Sequence, residues 1–203
     1  MLKGKDAYIA TGSDNSSRYF NYYFGKYPNI IRSNRTSVAI LTGEETDQDL
    51  ENLGMDIFQY FGLGCRNVSK VYVKSRDSLI RLLGTLEKKD WVSSHHKYLN
   101  NYDYNKSIYL VNSEPHLDNG FLLIKESQEL VSPIAVLFYE KYEDENDLNL
   151  KLNSIQGKVQ CVLGGVGYLK NKIIPFGQAQ LPSPWDYADH IDTLAFLISL
   201  SKN

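Results

Sequence analysis

The chain has 203 residues, 42% of them hydrophobic and 23% charged, with a formal net charge of −2, which describes an ordinary globular protein with enough chain for one substantial core or two small ones, one compact unit being the first expectation. That charge balance carries no electrostatic footprint for nucleic acid. No apolar run reaches the roughly 18 residues of a membrane span, and "MLKGKDAY" lacks the apolar centre of a signal peptide, so a cytoplasmic protein is expected, with Cys65 and Cys161 as free thiols.

In chain order, "DAYIATGSDNSSRYFNYYF" predicts a strand at Ala7 to Ala10, a glycine turn, and a helix capped by Asp14, Asn15 or Ser16. It is a βα step with no strand before it, so the chain looks cut into the middle of an α/β domain. "TSVAILTG" reads as a buried strand from its β-branched content. "TDQDLENLGMDIFQYFG" places Leu50, Leu53, Ile57 and Phe61 at helical spacing, with Thr46 or Asp47 as cap and Gly62 as terminator. Val68 to Val73 follows as a strand. "SRDSLIRLLGTLEKKDW" and "SHHKYLNNYDYNK" predict helices, "GFLLIKE" and "SPIAVLFYEKY" strands, and the acidic "EDENDLNLKLNSIQ" a solvated helix. "GKVQCVL" is a strand, "LGGVG" a turn, and "PSPWDYADHIDTLAFLISL" a final helix. Strands alternating with helices imply an α/β fold with a mostly parallel sheet flanked by helices.

The candidate for chemistry is Cys65 in "FGLGCRNVSK". A thiol reacts as its thiolate, which a neighbouring cation and backbone N–H dipoles favour and an apolar core disfavours. Gly62 and Gly64 allow close backbone approach, and Arg66 places a positive charge next door. On spacing alone, a buried structural cysteine at a helix-to-strand turn is the favoured reading. Cys161, inside "KVQCVL", reads as core. "ATGSDNSS" puts Gly12 and Ser13 ahead of a helix N-terminus, where a phosphate is favoured, although a plain helix cap explains them as well. The histidines, His95, His96, His116 and His190, form no metal set with Cys or carboxylate partners, and no metal is expected. Each reads by default as a surface or helix-face histidine, with acid or base work a secondary reading for His116 because it lies in a polar loop.

Together these segments resemble the acyl-CoA reductase family that includes the fatty-acid reductase of bacterial luminescence, a branch of the aldehyde dehydrogenase superfamily. The likeness is carried by "TSVAILTGEETDQDLENLGMDIFQYFGLGCRNVSKVYV", "HHKYLNNYDYNKSIYLVN", "PHLDNGFLLIKE", "LVSPIAVLFYE" and "PFGQAQLPSPWDYADHIDTLAFL". It implies an aldehyde dehydrogenase-like catalytic domain, makes Cys65 the acyl-accepting nucleophile, and gives Gly64, Arg66, Phe176 and Gly177 supporting places at the active site. "TGSDNSSR" is similar to a turn of the cofactor domain, implying that Thr11, Gly12 and Ser13 lie near dinucleotide phosphates. "QELVSPI" is similar to the Glu-x-x-Gly-Pro block, implying Glu129 as partner of the nicotinamide ribose, with Ser132 where glycine is usual. "IPFGQ" is similar to a Pro-Phe-Gly-Gly turn, with Gln178 in place of the second glycine.

The resemblance further implies NADPH as cofactor and fatty acyl-CoA or an acylated protein as partner, and it is compatible with a homo-oligomer. Hydrolytic aldehyde dehydrogenases activate water with a glutamate in a Glu-Leu-Gly-Gly-Lys segment; the corresponding "NIIRSNRTSVAI" has no carboxylate, which favours a thioester that survives until hydride arrives. Family members are much longer, so the chain is expected to be the C-terminal catalytic portion, with 1–33 a remnant of the cofactor-binding domain and 34–203 the catalytic domain with its C-terminal helix. A thiol acyltransferase or hydrolase, and a non-catalytic assembly module, are the alternatives.

Overall fold

The computed structural model describes residues 4–165 and 173–201, which fall into two compact units, Met1–Arg35 with Pro182–Asn203, and Thr36–Leu181. In the first, β1 (Tyr8–Thr11) and β2 (Asn29–Arg32) pair in parallel, in register from Tyr8 opposite Asn29 to Thr11 opposite Arg32. The helix α1 (Asp14–Phe24) joins them, completing a βαβ step. Its cap is Ser13, one residue before the expected candidates, because the Ser13 hydroxyl accepts the Ser16 N–H at 3.2 Å. The strand β2 lies in "NIIR", a run too short and too close to the next strand to stand out by periodicity. Tyr8 stacks on Phe24 at 4.3 Å, which holds the helix on its strand pair.

The larger unit begins with β3 (Thr36–Leu41), buried at every position. The helix α2 (Asp47–Phe58) follows, opened by a capping box in which Thr46 and Asp49 exchange side-chain bonds with each other's N–H. Next come β4 (Val68–Val73), α3 (Arg76–Leu86), α4 (His96–Val111), β5 (Leu117–Asp118), β6 (Leu123–Glu126), β7 (Val136–Lys141), α5 (Glu145–Ser154) and β8 (Val159–Leu163). The sheet order is β5-β6-β7-β4-β3-β8, parallel throughout except for the β5–β6 pair. The expected α/β class, a mostly parallel sheet flanked by helices, is what forms.

Alternation along β3 sorts its side chains between the two faces. Ala39 and Leu41 join Leu50, Leu53 and Ile57 of α2, Leu79, Leu82 and Leu86 of α3, and Tyr98 and Tyr102 of α4 in the main core. Val38 and Ile40 face the other way with Tyr72 and Leu148, the buried residue of α5. On that second face Lys70 of β4, 1% exposed, pairs with Glu140 at 2.5 Å, and Glu140 pairs with Lys151 of α5 at 3.1 Å. The lysine buried on this face is thus met by a carboxylate, which offsets the cost of taking it out of water.

After Leu181 the chain returns to the first unit. The expected final helix is shorter than its apolar spacing predicts: α6 runs Thr193–Leu200, capped by Asp192, and Ala188–His190 is a separate tight turn. Pro182 and Pro184 remove helical N–H donors, and Asp189 and His190 take φ of 60° and 57°, which no α-helix accommodates. His190 accordingly lies in this turn, not on the helix. Arg35 bonds Asp189 at 2.8 Å and Arg32 donates to Thr193 Oγ1 at 2.9 Å. The C-terminal helix thus groups with the N-terminal segment. The expected "LGGVG" turn runs into residues 166–172, outside the described residues.

Candidate active site

Cys65 sits in the connection between α2 and β4, and that connection is shaped by an unusual backbone run. Tyr60, Phe61 and Gly62 have φ of 53°, 58° and 76°. Two successive aromatic residues in the left-handed region cost of order 1–3 kcal/mol each and persist only where packing dictates them. Here the Phe61 ring stacks on His95 at 4.0 Å and leans on Trp91 at 6.0 Å. His95 is held in turn because its Nδ1 caps α4, accepting the Tyr98 N–H at 3.3 Å.

Beyond the run, the buried side chain of Asn67 closes a turn around Cys65. Its Oδ1 accepts the Gly64 N–H at 2.8 Å, and its Nδ2 donates to the carbonyls of Asp56 at 2.9 Å and Gln59 at 2.7 Å. The Asn67 N–H returns to the Gly64 carbonyl at 3.0 Å. A Cβ on Gly64 would stand 2.9 Å from Asn67 Oδ1, so glycine is what lets the asparagine reach. The result is an exposed Cys65 on a turn whose backbone is tied to the end of α2.

Below this turn lies Cys161, buried in β8. The Ser37 hydroxyl joins the two cysteine backbones: it donates to the Cys65 carbonyl at 3.1 Å and accepts the Cys161 N–H at 3.1 Å. Burial pushes the Cys161 thiol up, against the pull of the Arg66 guanidinium. Arg66 Nη1 donates to Cys161 Sγ at 3.4 Å and to the Ala179 carbonyl at 3.0 Å. Phe176 and Gly177 arrive in the same neighbourhood through Asp56, a helix residue 1% exposed. Its Oδ2 accepts the Gly177 N–H at 2.5 Å and its Oδ1 the Ala179 N–H at 3.1 Å. Desolvation dominates over these two bonds and raises the Asp56 carboxyl to about 6. Cys65, Gly64, Arg66, Phe176 and Gly177 are therefore connected parts of one substructure. Asp56, Asn67 and Ser37, which hold it, were not singled out by sequence reasoning; Asp56 alone left a signal, as a carboxylate in phase with Leu53 and Ile57.

Glu129 is exposed in the loop between β6 and β7, and that loop is fastened to β4 from both sides. Lys70 Nζ donates to the Gln128 carbonyl at 3.1 Å, and Ser69 Oγ to the Leu130 carbonyl at 2.8 Å. Ser132 turns its hydroxyl to the Val136 carbonyl at 2.6 Å. Thr11, Gly12 and Ser13 belong to the other unit, between the C-terminal end of β1 and the N-terminus of α1. A βαβ step opening on a helix N-terminus fits a dinucleotide phosphate in kind, although a Cβ on Gly12 would meet Ser16 Cβ at 2.7 Å, so close helix packing accounts for that glycine. His116 donates from Nδ1 to the Glu114 carbonyl at 2.8 Å, a contact that fixes its tautomer. Among the described residues no helix is long and apolar enough to cross a membrane.

No family model matches the chain, and none of the curated proteins does. Solved structures do. An NADP-dependent glyceraldehyde-3-phosphate dehydrogenase from Bacillus halodurans, complexed with NADP, superposes with a TM-score of 0.54 at 14% identity over 84% of this chain and 41% of its own. An aldehyde dehydrogenase from Bacillus cereus in complex with NAD+ gives 0.54 at 13% identity, over 82% and 40%. The Δ-pyrroline-5-carboxylate dehydrogenase from Mycobacterium tuberculosis bound with NAD gives 0.52 at 14% identity, over 78% and 36%. The chain has an aldehyde dehydrogenase-like fold. It spans about two fifths of the length of these structures.

Proposed function

We propose that the chain carries the catalytic portion of an NADPH-dependent fatty acyl-thioester reductase, in which Cys65 accepts the acyl group from acyl-CoA or an acylated protein. The observation that carries this reading is the setting of Cys65: an exposed thiol on a turn held by a buried asparagine, in a chain whose fold is aldehyde dehydrogenase-like. The Cys65 thiolate attacks the thioester carbonyl and CoA leaves as its thiol. The N–H groups of Gly64 and Asn67 are committed within the turn, so the Cys65 N–H is assigned to the developing oxyanion. Arg66, whose guanidinium donates to Cys161 Sγ and the Ala179 carbonyl, ties the Cys65 turn to the segment of Phe176 and Gly177, which support the site.

A nicotinamide cofactor, when bound, supplies the hydride that takes the thioester to the aldehyde level. Thr11, Gly12 and Ser13 would hold its phosphates and Glu129 its nicotinamide ribose. Collapse of the thiohemiacetal on Cys65 releases aldehyde and returns the thiol. The test is discharge of a palmitoyl group loaded onto the protein from palmitoyl-CoA. Aldehyde appearing only after NADPH is added supports the proposal; free palmitate released without cofactor identifies a thiol hydrolase, and no transfer to Cys65 overturns the reading.

A further inference from the structure

The residue that organises the surroundings of Cys65 is not beside it in sequence. Asp56 is on the third turn of α2, on the face that packs into the core, and among the described residues no lysine or arginine forms an ion pair with it. Burying a carboxylate without a cation is costly, and hydrophobic residues of similar size pack such positions more cheaply. What Asp56 has instead are two connections. Its carboxylate takes the N–H groups of Gly177 and Ala179, and Arg66 holds the carbonyl of that same Ala179. Its own carbonyl takes Asn67 Nδ2, and Asn67 Oδ1 holds Gly64. Gly64 and Arg66 are the residues immediately before and after Cys65, and each is tethered to Asp56 by a chain of two hydrogen-bonded contacts.

We propose that Asp56 is a positioning residue for Cys65, fixing the turn that carries the thiol against the turn of Phe176 and Gly177. The inference rests on the proposed nucleophilic role of Cys65 and adds a requirement to it: the Asp56 side chain must be the anion. The ionised group accepts from both turn N–H donors, whereas the acid turns one oxygen into a donor facing an N–H. The groups facing the carboxylate are those two N–H donors and, from β8, the Cys161 thiol, whose ionisation a charged Asp56 opposes. With its carboxyl at about 6, Asp56 loses its charge in a range where the orientation of Cys65 can be followed.

Two probes separate this inference from the functional reading: alkylation of Cys65 by iodoacetamide, and acylation of Cys65 by palmitoyl-CoA, both mapped by peptide mass in the folded chain. In wild type, the alkylation rate falls with the thiolate fraction as pH drops and bends to a second, steeper slope below about pH 6. In Asp56→Asn, which keeps the shape and cannot titrate, the second slope is absent and both rates at neutral pH are at least about tenfold lower for the folded protein. A purely structural anchor would lower the melting temperature without changing the rate constants of the folded fraction. Wild-type alkylation with a single slope, or a folded Asp56→Asn that reacts at the wild-type rate, overturns the inference. Palmitoyl-CoA leaving wild-type Cys65 unmodified overturns the functional reading instead, and the alkylation profiles still decide the role of Asp56; should Asp56→Asn not fold, the wild-type profile alone decides it.

Discussion

Cys65 and Cys161 share one serine hydroxyl and differ in almost everything else. Both touch Ser37 through their backbones, yet one thiol is exposed on a turn and the other is buried in a parallel strand whose apolar surroundings push its pKa up. The difference lies in how each backbone is held. Cys161 is part of a ladder, so its side chain points wherever the pleat sends it. Cys65 is released from strand geometry by three left-handed residues and then recaptured by Asn67, which leaves its side chain facing outward. The difference in exposure follows from how each backbone is held rather than from distance between the two residues.

The strongest way to break that contrast is Asn67→Ala, which strands the Gly64 N–H and the carbonyls of Asp56 and Gln59 at a buried site. We expect a loss of about 3 kcal/mol in urea unfolding, and an iodoacetamide reactivity of Cys65 that no longer exceeds that of Cys161 by the roughly hundredfold expected of wild type. The outcome that would contradict this is an Asn67→Ala chain as stable as wild type.

Asp56 offers a sharper probe, since its contribution depends on pH. Its folded carboxyl titrates at about 6, against an ordinary 3.8, so the folded state holds this proton more tightly than the unfolded chain. The share of stability it carries is fully present below about 3.8 and is lost as pH rises through about 6. Asp49, Asp118 and Glu140 are shifted the opposite way by their hydrogen-bond partners and oppose this trend in any whole-protein profile. Relative to Asp56→Asn, wild type should therefore lose about 2 kcal/mol between about pH 4 and about pH 7. A constant difference across that range would mean that Asp56 is not buried as a lone carboxylate.

Gly64→Ala should cost less, about 1.5 kcal/mol, because the added methyl meets Asn67 Oδ1 at 2.9 Å and the turn has to give. Its alkylation rate at Cys65 should fall while Cys161 stays unreactive. The smallest effect belongs to Cys161→Ala: about 1 kcal/mol for a lost buried sulfur, with Cys65 reacting as before. A large drop in Cys65 reactivity in that variant would show that the two thiols depend on each other more than their shared serine requires.

Much of this architecture was legible in the residues. The strand Val68–Val73, the Thr46 cap and the core phase of Leu50, Leu53 and Ile57 follow from pattern and capping chemistry. What was not legible has a physical reason in each case. The four residues of β2 carry too little periodicity to call a strand, and their partner β1 lies across a helix. The final helix lost its first turns because a run of apolar spacing says nothing about residues forced to positive φ. Asn67 gives no signal because an asparagine that imitates a backbone partner looks like any polar residue before a strand. Asp56 did give one, and a charged side chain in a helix's buried phase marks a position where the fold keeps an interaction at some cost in stability.

The account turns on whether Cys65 accepts an acyl group. The direct measurement is peptide mapping of the full chain after incubation with palmitoyl-CoA, beside Cys65→Ala and Cys161→Ala. The expected result is a single hydroxylamine-sensitive palmitoyl adduct on Cys65, unchanged in Cys161→Ala and absent from Cys65→Ala. An adduct that persists in Cys65→Ala, or wild-type protein that stays unmodified, would contradict it.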